Sequence, residues 1–246
     1  MENTTYIALS RLDTQQRAMD VVANNIANAN TDGFKAQRTL FSDYLSQQHG
    51  VDAPRGGTSL SYTQDRATYL DQKDGSLSQT GNPLDVALTG PGFFTVSTPD
   101  GPRLTRSGRF GLLPDGRVAD ASGNLLLDTG GNPLQLSPSD TNIKIAGNGA
   151  ISSENGAVGQ IGVVTVDDTS QLVPEGGKLY RANSSTTAAA QPKVSQGMVE
   201  SSNVQPITEL TKMIQTQRDF QFVSQFVESE AQRQQTAIDK IGQLQS

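Results

Sequence analysis

A histidine, a pair of adjacent aspartates and a glycine-rich pentapeptide are the parts of this 246-residue chain whose residue types could do chemistry. His49, the only histidine, sits in a polar, glycine-flanked loop and reads as exposed and inert rather than as part of a buried triad. Asp167-Asp168 has the composition of an acid/base pair. Adjacent strand residues point to opposite faces, however, and Thr169-Ser170 reads as a turn, so a solvated hairpin end is expected. Gly90-Pro91-Gly92-Phe93-Phe94 lacks the Lys-Ser/Thr ending and following helix of a phosphate loop, and reads as a β-turn entering a buried strand. The Asp-Gly pairs at 100–101 and 115–116 lack the alternating acids and terminal Glu of a calcium loop. No catalytic, cofactor-binding or metal-ligating residue is assigned, and the chain is expected to need no cofactor and to be no enzyme.

Composition narrows the remaining classes. The net charge is −6 and Lys and Arg form no cluster, which argues against nucleic acid as a partner. The absence of cysteine excludes disulfides, thiolate metal sites and a thiol nucleophile. No stretch approaches the roughly 18 apolar residues of a membrane span. The start, Met1-Glu2-Asn3-Thr4-Thr5, lacks the basic and apolar regions of a cleaved signal peptide. A soluble protein without direct membrane insertion is expected.

The elements that would position any site fall into two kinds. Leu9, Leu12, Met19, Ala23 and Ile26 follow steps of three and four, with Gln16 as a polar interruption, so residues from about 4 to 30 read as an amphipathic helix. Asn28 to Gly33 offer turn and left-handed conformations that end it. Near the other end Leu210, Met213, Gln217, Phe220, Ser224, Val227, Ala231, Gln234, Ile238 and Ile241 repeat the pattern over a helix from about 207 to 244. At 1.5 Å per residue that helix is roughly 57 Å long, and a lone helix in water is marginal, so both termini are expected to order only on assembly.

Between the helices, polar residues 47–61 read as a connector. Short apolar runs at 84–88, 93–97, 103–106, 110–113, 124–127, 143–146, 160–166, 178–181 and 194–199 then alternate with turn signals such as Pro99-Asp100-Gly101 and Pro114-Asp115-Gly116. Ser-, Thr- and Ala-rich residues 183–190 read as a loop. The predicted fold class is α+β, with long N- and C-terminal helices packing as a coiled-coil-like pair and framing a mainly antiparallel β domain. The divisions are residues 1–46, 47–83, 84–199 and 200–246: first helix and its exit turn, connector, β-rich domain, last helix.

Three blocks carry a family resemblance. Ala23 to Lys35 (ANNIANANTDGFK) resembles the N-terminal signature of the bacterial flagellar rod and hook proteins. Gly81 to Val96, with Leu104-Thr105-Arg106-Ser107-Gly108, resembles that family's core β motifs. Gln196 to Val204 and Met213 to Phe220 resemble its C-terminal signature. The resemblance implies a structural subunit of the basal body whose terminal helices build the rod core and whose β region is an outer domain. Length and the short connector favour a proximal-rod subunit, with a distal-rod subunit as the alternative. It also implies a periplasmic rod location, export through the flagellar type III apparatus without a cleaved signal, and other rod proteins and copies of itself as partners. The residues expected at assembly interfaces are Leu9, Leu12, Met19, Ile26, Leu210, Met213, Phe220, Val227 and Ile238, with Asn30, Gly33 and Phe34 shaping the exit from the first helix. A rival from another class is an extracellular β-domain binding module that its helices merely oligomerise.

Overall fold

The structure, a computed structural model, describes residues 2–48, 58–137, 139–176 and 178–244. His49 and residues 49–57 of the polar connector lie outside the described residues. Two long helices bracket the chain, α1 at Glu2–Ala27 and α2 at Pro206–Leu244. Helix α2 opens on Pro206, whose missing N–H would be unpaired in a first turn anyway, and Glu209 sits in that turn, where the helix dipole favours a negative charge. No described helix is long and apolar enough to cross a membrane.

Between the helices run β1 (Gln37–Gln48), β2 (Thr58–Leu70), β3 (Leu77–Gln79), β4 (Val86–Thr89), β5 (Phe93–Thr98) and β6 (Gly101–Thr105). Then come β7 (Phe110–Leu112), β8 (Val118–Asp120), β9 (Leu125–Leu126), β10 (Lys144–Ile145), β11 (Ala150–Ser153) and β12 (Gly156–Gln160). The last are β13 (Val163–Thr165), β14 (Leu172–Glu175), β15 (Leu179–Ala182), β16 (Thr187–Ala188), β17 (Lys193–Gln196) and β18 (Met198–Glu200). Helices at both ends of a mainly antiparallel β region make this an α+β fold, as the sequence pattern predicts.

The chain divides into two compact units. Unit 1 draws on residues 1–26, 38–68 and 206–246, and unit 2 on residues 27–37 and 69–205. The main sheet of unit 2 has the order β14-β15-β6-β5-β9-β8-β7, and β13 pairs with both β5 and β16. Smaller sheets join β10-β11-β12, β17-β4 and β18-β3. Strand β5 is the hinge of the core because its side chains alternate between faces. Phe94 and Val96 enter a cluster with Val86, Phe110, Leu126 and Ile161, where Phe94 meets Phe110 edge-on at 5.6 Å. Phe93 enters a second cluster with Leu70, Leu104 and Tyr180, and lies 5.8 Å from the Tyr180 ring.

The structure departs from the expected elements mainly where side chains are polar. Gln47 and Gln48 continue β1 and Thr58 to Ser61 open β2, although all fall in the stretch read as connector. Strand pairing satisfies the backbone whatever the side chains, so polarity alone does not make a loop. Within the Ser/Thr/Ala stretch, Thr187 and Ala188 likewise pair with β13.

The turn before β10 is held by one carboxylate. Glu154 accepts from the Thr141 amide at 3.0 Å, the Thr141 hydroxyl at 3.0 Å and the Asn142 amide at 2.9 Å. These bonds, the Thr141 amide foremost, lower its pKa to about 2. A carboxyl lowered on folding stabilises above its unfolded value and loses that contribution as pH falls through the folded one. The Thr141 and Asn142 amide shifts should therefore titrate with a midpoint near 2 in NMR spectra. A midpoint above 4 would show that the cap does not form.

Candidate assembly site

Within unit 1 the helices bury one line of residues and leave apolar side chains outside it. On α2, Glu209 and Val223 are buried and Met213, Thr216, Phe220, Val227 and Glu230 are half-buried, a line with steps of four and three. Met213, Phe220 and Val227 belong to the line read from spacing. Leu210, Gln217, Ala231 and Gln234, read from spacing as part of the same line, are exposed instead, Leu210 at 51%. The offset has a local cause: Glu209 is drawn inward by its hydrogen-bond donors, and one residue along a helix is a rotation of about 100°. On α1, Leu12, Met19 and Ile26 are half-buried, Ala8 and Val22 are buried, and Leu9 is 48% exposed. The side chain of Ile238 lies outside the described residues.

The exposed apolar set is larger than spacing indicates. Ile207 is 83% exposed and Phe222 74%, with Ile214 and Phe226 also open and Tyr6 on α1. Single exposed apolar residues are ordinary, but five on one helix mark a surface that another element can cover.

A buried carboxylate ties the pieces of unit 1 together. Glu209 accepts from Arg38 at 2.6 Å, Lys212 at 2.9 Å and the Asn25 side-chain amide at 3.3 Å. Burial works to raise its pKa, yet the hydrogen bonds from Arg38, Lys212 and Asn25 outweigh burial and leave it lowered. Residues from α1, β1 and α2 thus meet at one charge.

The exit from α1 belongs to unit 2. The Thr31 amide donates to the Asn28 carbonyl at 3.1 Å, Asn30 is exposed, and Asp32 pairs with Arg109 at 2.8 Å. Gly33 has φ +72°, and a Cβ there would lie 2.3 Å from the Ser107 amide nitrogen, so both conformation and space require glycine. Phe34 is buried against Ala36 and Val204.

Beside this exit lies a buried charge network that the site reading from sequence did not include. Glu200 accepts from Lys35 at 2.7 Å and from Arg106 at 2.5 Å. Arg106 also pairs with Asp74 at 3.1 Å and donates to the carbonyls of Gly92 and Leu88. Two cations face two carboxylates, so the cluster is neutral. Burial lowers the Lys35 pKa, and Glu200 opposes that shift. The available signal was the placing of Lys35, Arg106 and Glu200 inside glycine-rich and apolar blocks, where a charge needs a partner.

The sequence's candidate chemical groups have structural roles instead. Asp168 accepts from the Ser170 amide and hydroxyl, capping a short 3₁₀ turn at Thr169–Gln171. Asp115 accepts from the backbone and side chain of Arg117.

Exposed apolar side chains on the helices and carboxylates held in caps and ion pairs are features of a structural protein. Family models match at three places: flagella basal body rod protein at residues 6–35, flagellar hook protein FlgE/F/G D1 domain at 87–153, and flagellar basal body rod FlgEFG protein C-terminal at 195–240. The flagellar basal-body rod protein FlgF of Caulobacter vibrioides is 35% identical, covering 99% of this chain and 100% of its own. FlgF of Mesorhizobium japonicum is 35% identical over 98% and 99% of the two chains. FlgG of Bacillus subtilis is 32% identical over 92% and 94%. The chain belongs to the flagellar basal-body rod protein family, of the FlgF type. It is a structural subunit and not an enzyme.

Proposed function

We propose that this protein is a proximal-rod subunit whose terminal helices pack as a coiled-coil-like pair and stack against those of other copies and of other rod proteins. The resulting axial tube transmits torque. In this reading residues 1–46 and 200–246 form the rod core, 47–83 the connection and 84–199 an outer domain. The chain reaches the periplasm through the flagellar export apparatus. A distal-rod position is the second reading, favoured by the FlgG relative in Bacillus subtilis.

The observation that supports helix-mediated assembly is the exposed apolar set on α2, Leu210 and Phe222 in particular. Leu210→Asp tests it. A half-exposed position tolerates a charge within about 0.5 kcal/mol in the monomer, so thermal unfolding of the purified chain should be unchanged. Swimming should be abolished in cells carrying only the variant. Met213→Asp and Phe220→Asp should act in the same direction, and normal swimming by all three would refute the reading.

A further inference from the structure

The chain passes between the two units at 26/27, 37/38, 68/69 and 205/206. On the unit 2 side, residues 28–36, 71–76 and 201–205 next to these points belong to no helix or strand. Their backbone groups need partners that a sheet ladder does not supply.

Side chains supply them. The Asn203 Oδ1 accepts from the Ala36 amide at 2.7 Å, and its Nδ2 donates to the Asp71 and Lys73 carbonyls, both at 2.9 Å. The Glu200 carboxylate accepts from the Gly75 amide at 2.8 Å as well as from Lys35. Lys35 Nζ also donates to the Lys73 carbonyl at 2.7 Å. Backbone bonds close the set: Gly33 N–H to Glu200 O at 2.7 Å and Asp71 N–H to Ala36 O at 2.8 Å. Each of the three segments is bonded directly to the other two.

We propose that Asn203, Glu200 and Lys35 form a clasp that ties together the three segments of unit 2 beside the crossings at 37/38, 68/69 and 205/206, so that force carried along the terminal helices enters the β unit there. Pull on a single unpaired segment peels it from its neighbours one bond at a time. With three segments cross-linked, pull on any one is shared by the others. Apolar contacts alone would not fix the register of irregular segments, whereas an amide with one acceptor and two donors in use accepts only one arrangement. The inference rests on the rod-subunit reading.

The test uses the full chain in a strain lacking its own copy. The unaltered chain must restore swimming, and failure there counts against the rod reading, not the clasp. Asn203→Ala should make the Ala36 amide exchange at least 10-fold faster while β5 and β6 amides are unchanged. Cells carrying it should swim in dilute medium and stop in viscous medium. Asn203→Asp, which keeps the acceptor and loses both donors, should behave alike in viscous medium. Val118→Ala, a core change away from the clasp, should swim in both. The clasp is overturned if Asn203→Ala leaves Ala36 exchange unchanged, if it swims normally under viscous load, if Val118→Ala is equally impaired, or if both position-203 variants fail to fold.

Discussion

Glu200→Leu is expected to lower the unfolding free energy of the β unit by about 3–5 kcal/mol, the usual cost of removing one partner from a buried ion pair. The substitution leaves Lys35 and Arg106 buried, with Asp74 as their remaining carboxylate, and Asp74 is partly in water. It also strips the Gly75 amide of its acceptor. Urea unfolding followed through the NMR ring resonances of the buried Tyr180 reports on this unit. The combined change Lys35→Met, Arg106→Met and Glu200→Leu should regain part of the loss, because an apolar replacement leaves no orphaned charge. A loss below about 1 kcal/mol for the single change would mean that water reaches the cluster and screens it.

Gly108→Ala should be as damaging for a different reason. A Cβ at Gly108 would lie 1.5 Å from the Val86 carbonyl oxygen and 2.7 Å from the Val86 carbonyl carbon. Both are backbone atoms, so no rotamer change relieves the clash. The two segments must separate, which breaks the Val86 N–H to Gly108 O bond of 2.8 Å and loosens Val86 in the core. The expected cost is at least about 4 kcal/mol, in the range of severe single substitutions. Gly81→Ala is the comparison: nothing lies within 4 Å of its added Cβ, and φ is +76°. It should cost only the ~1–2 kcal/mol of a left-handed backbone. Thermal unfolding of the two variants side by side decides whether space or conformation dominates, and equal melting temperatures would refute the steric account.

Residues with strong local patterns were legible in the sequence and those defined by partners were not. Phe93 to Ser97 reads as a strand because apolar and β-branched residues stand between clear turns, and β5 covers it. The polar run of β1, QRTLFSDYLSQQ, has no such outline at its end. Its strand state comes from pairing with β2, which no local window contains. Spacing places Met213, Phe220 and Val227 inward on α2, but three-and-four steps fit two adjacent lines on a helix. The choice between them falls to Glu209, whose partners Asn25 and Arg38 lie 184 and 171 residues away. The Lys35–Glu200 pair, 165 residues apart, was hidden for the same reason.

The interleaving of the two units also sets an order of manufacture. Unit 1 needs the first residues, a middle excursion and the last helix, and unit 2 is fastened by residues 199–205. A ribosome therefore releases almost the whole chain before either unit can close. Contacts that span most of a sequence also form slowly. An unfinished chain lacking α2 has no Glu209 to tie Asn25 and Arg38 together. Closure of both units is thus a late event set by topology, since the segments each needs are spread along the sequence.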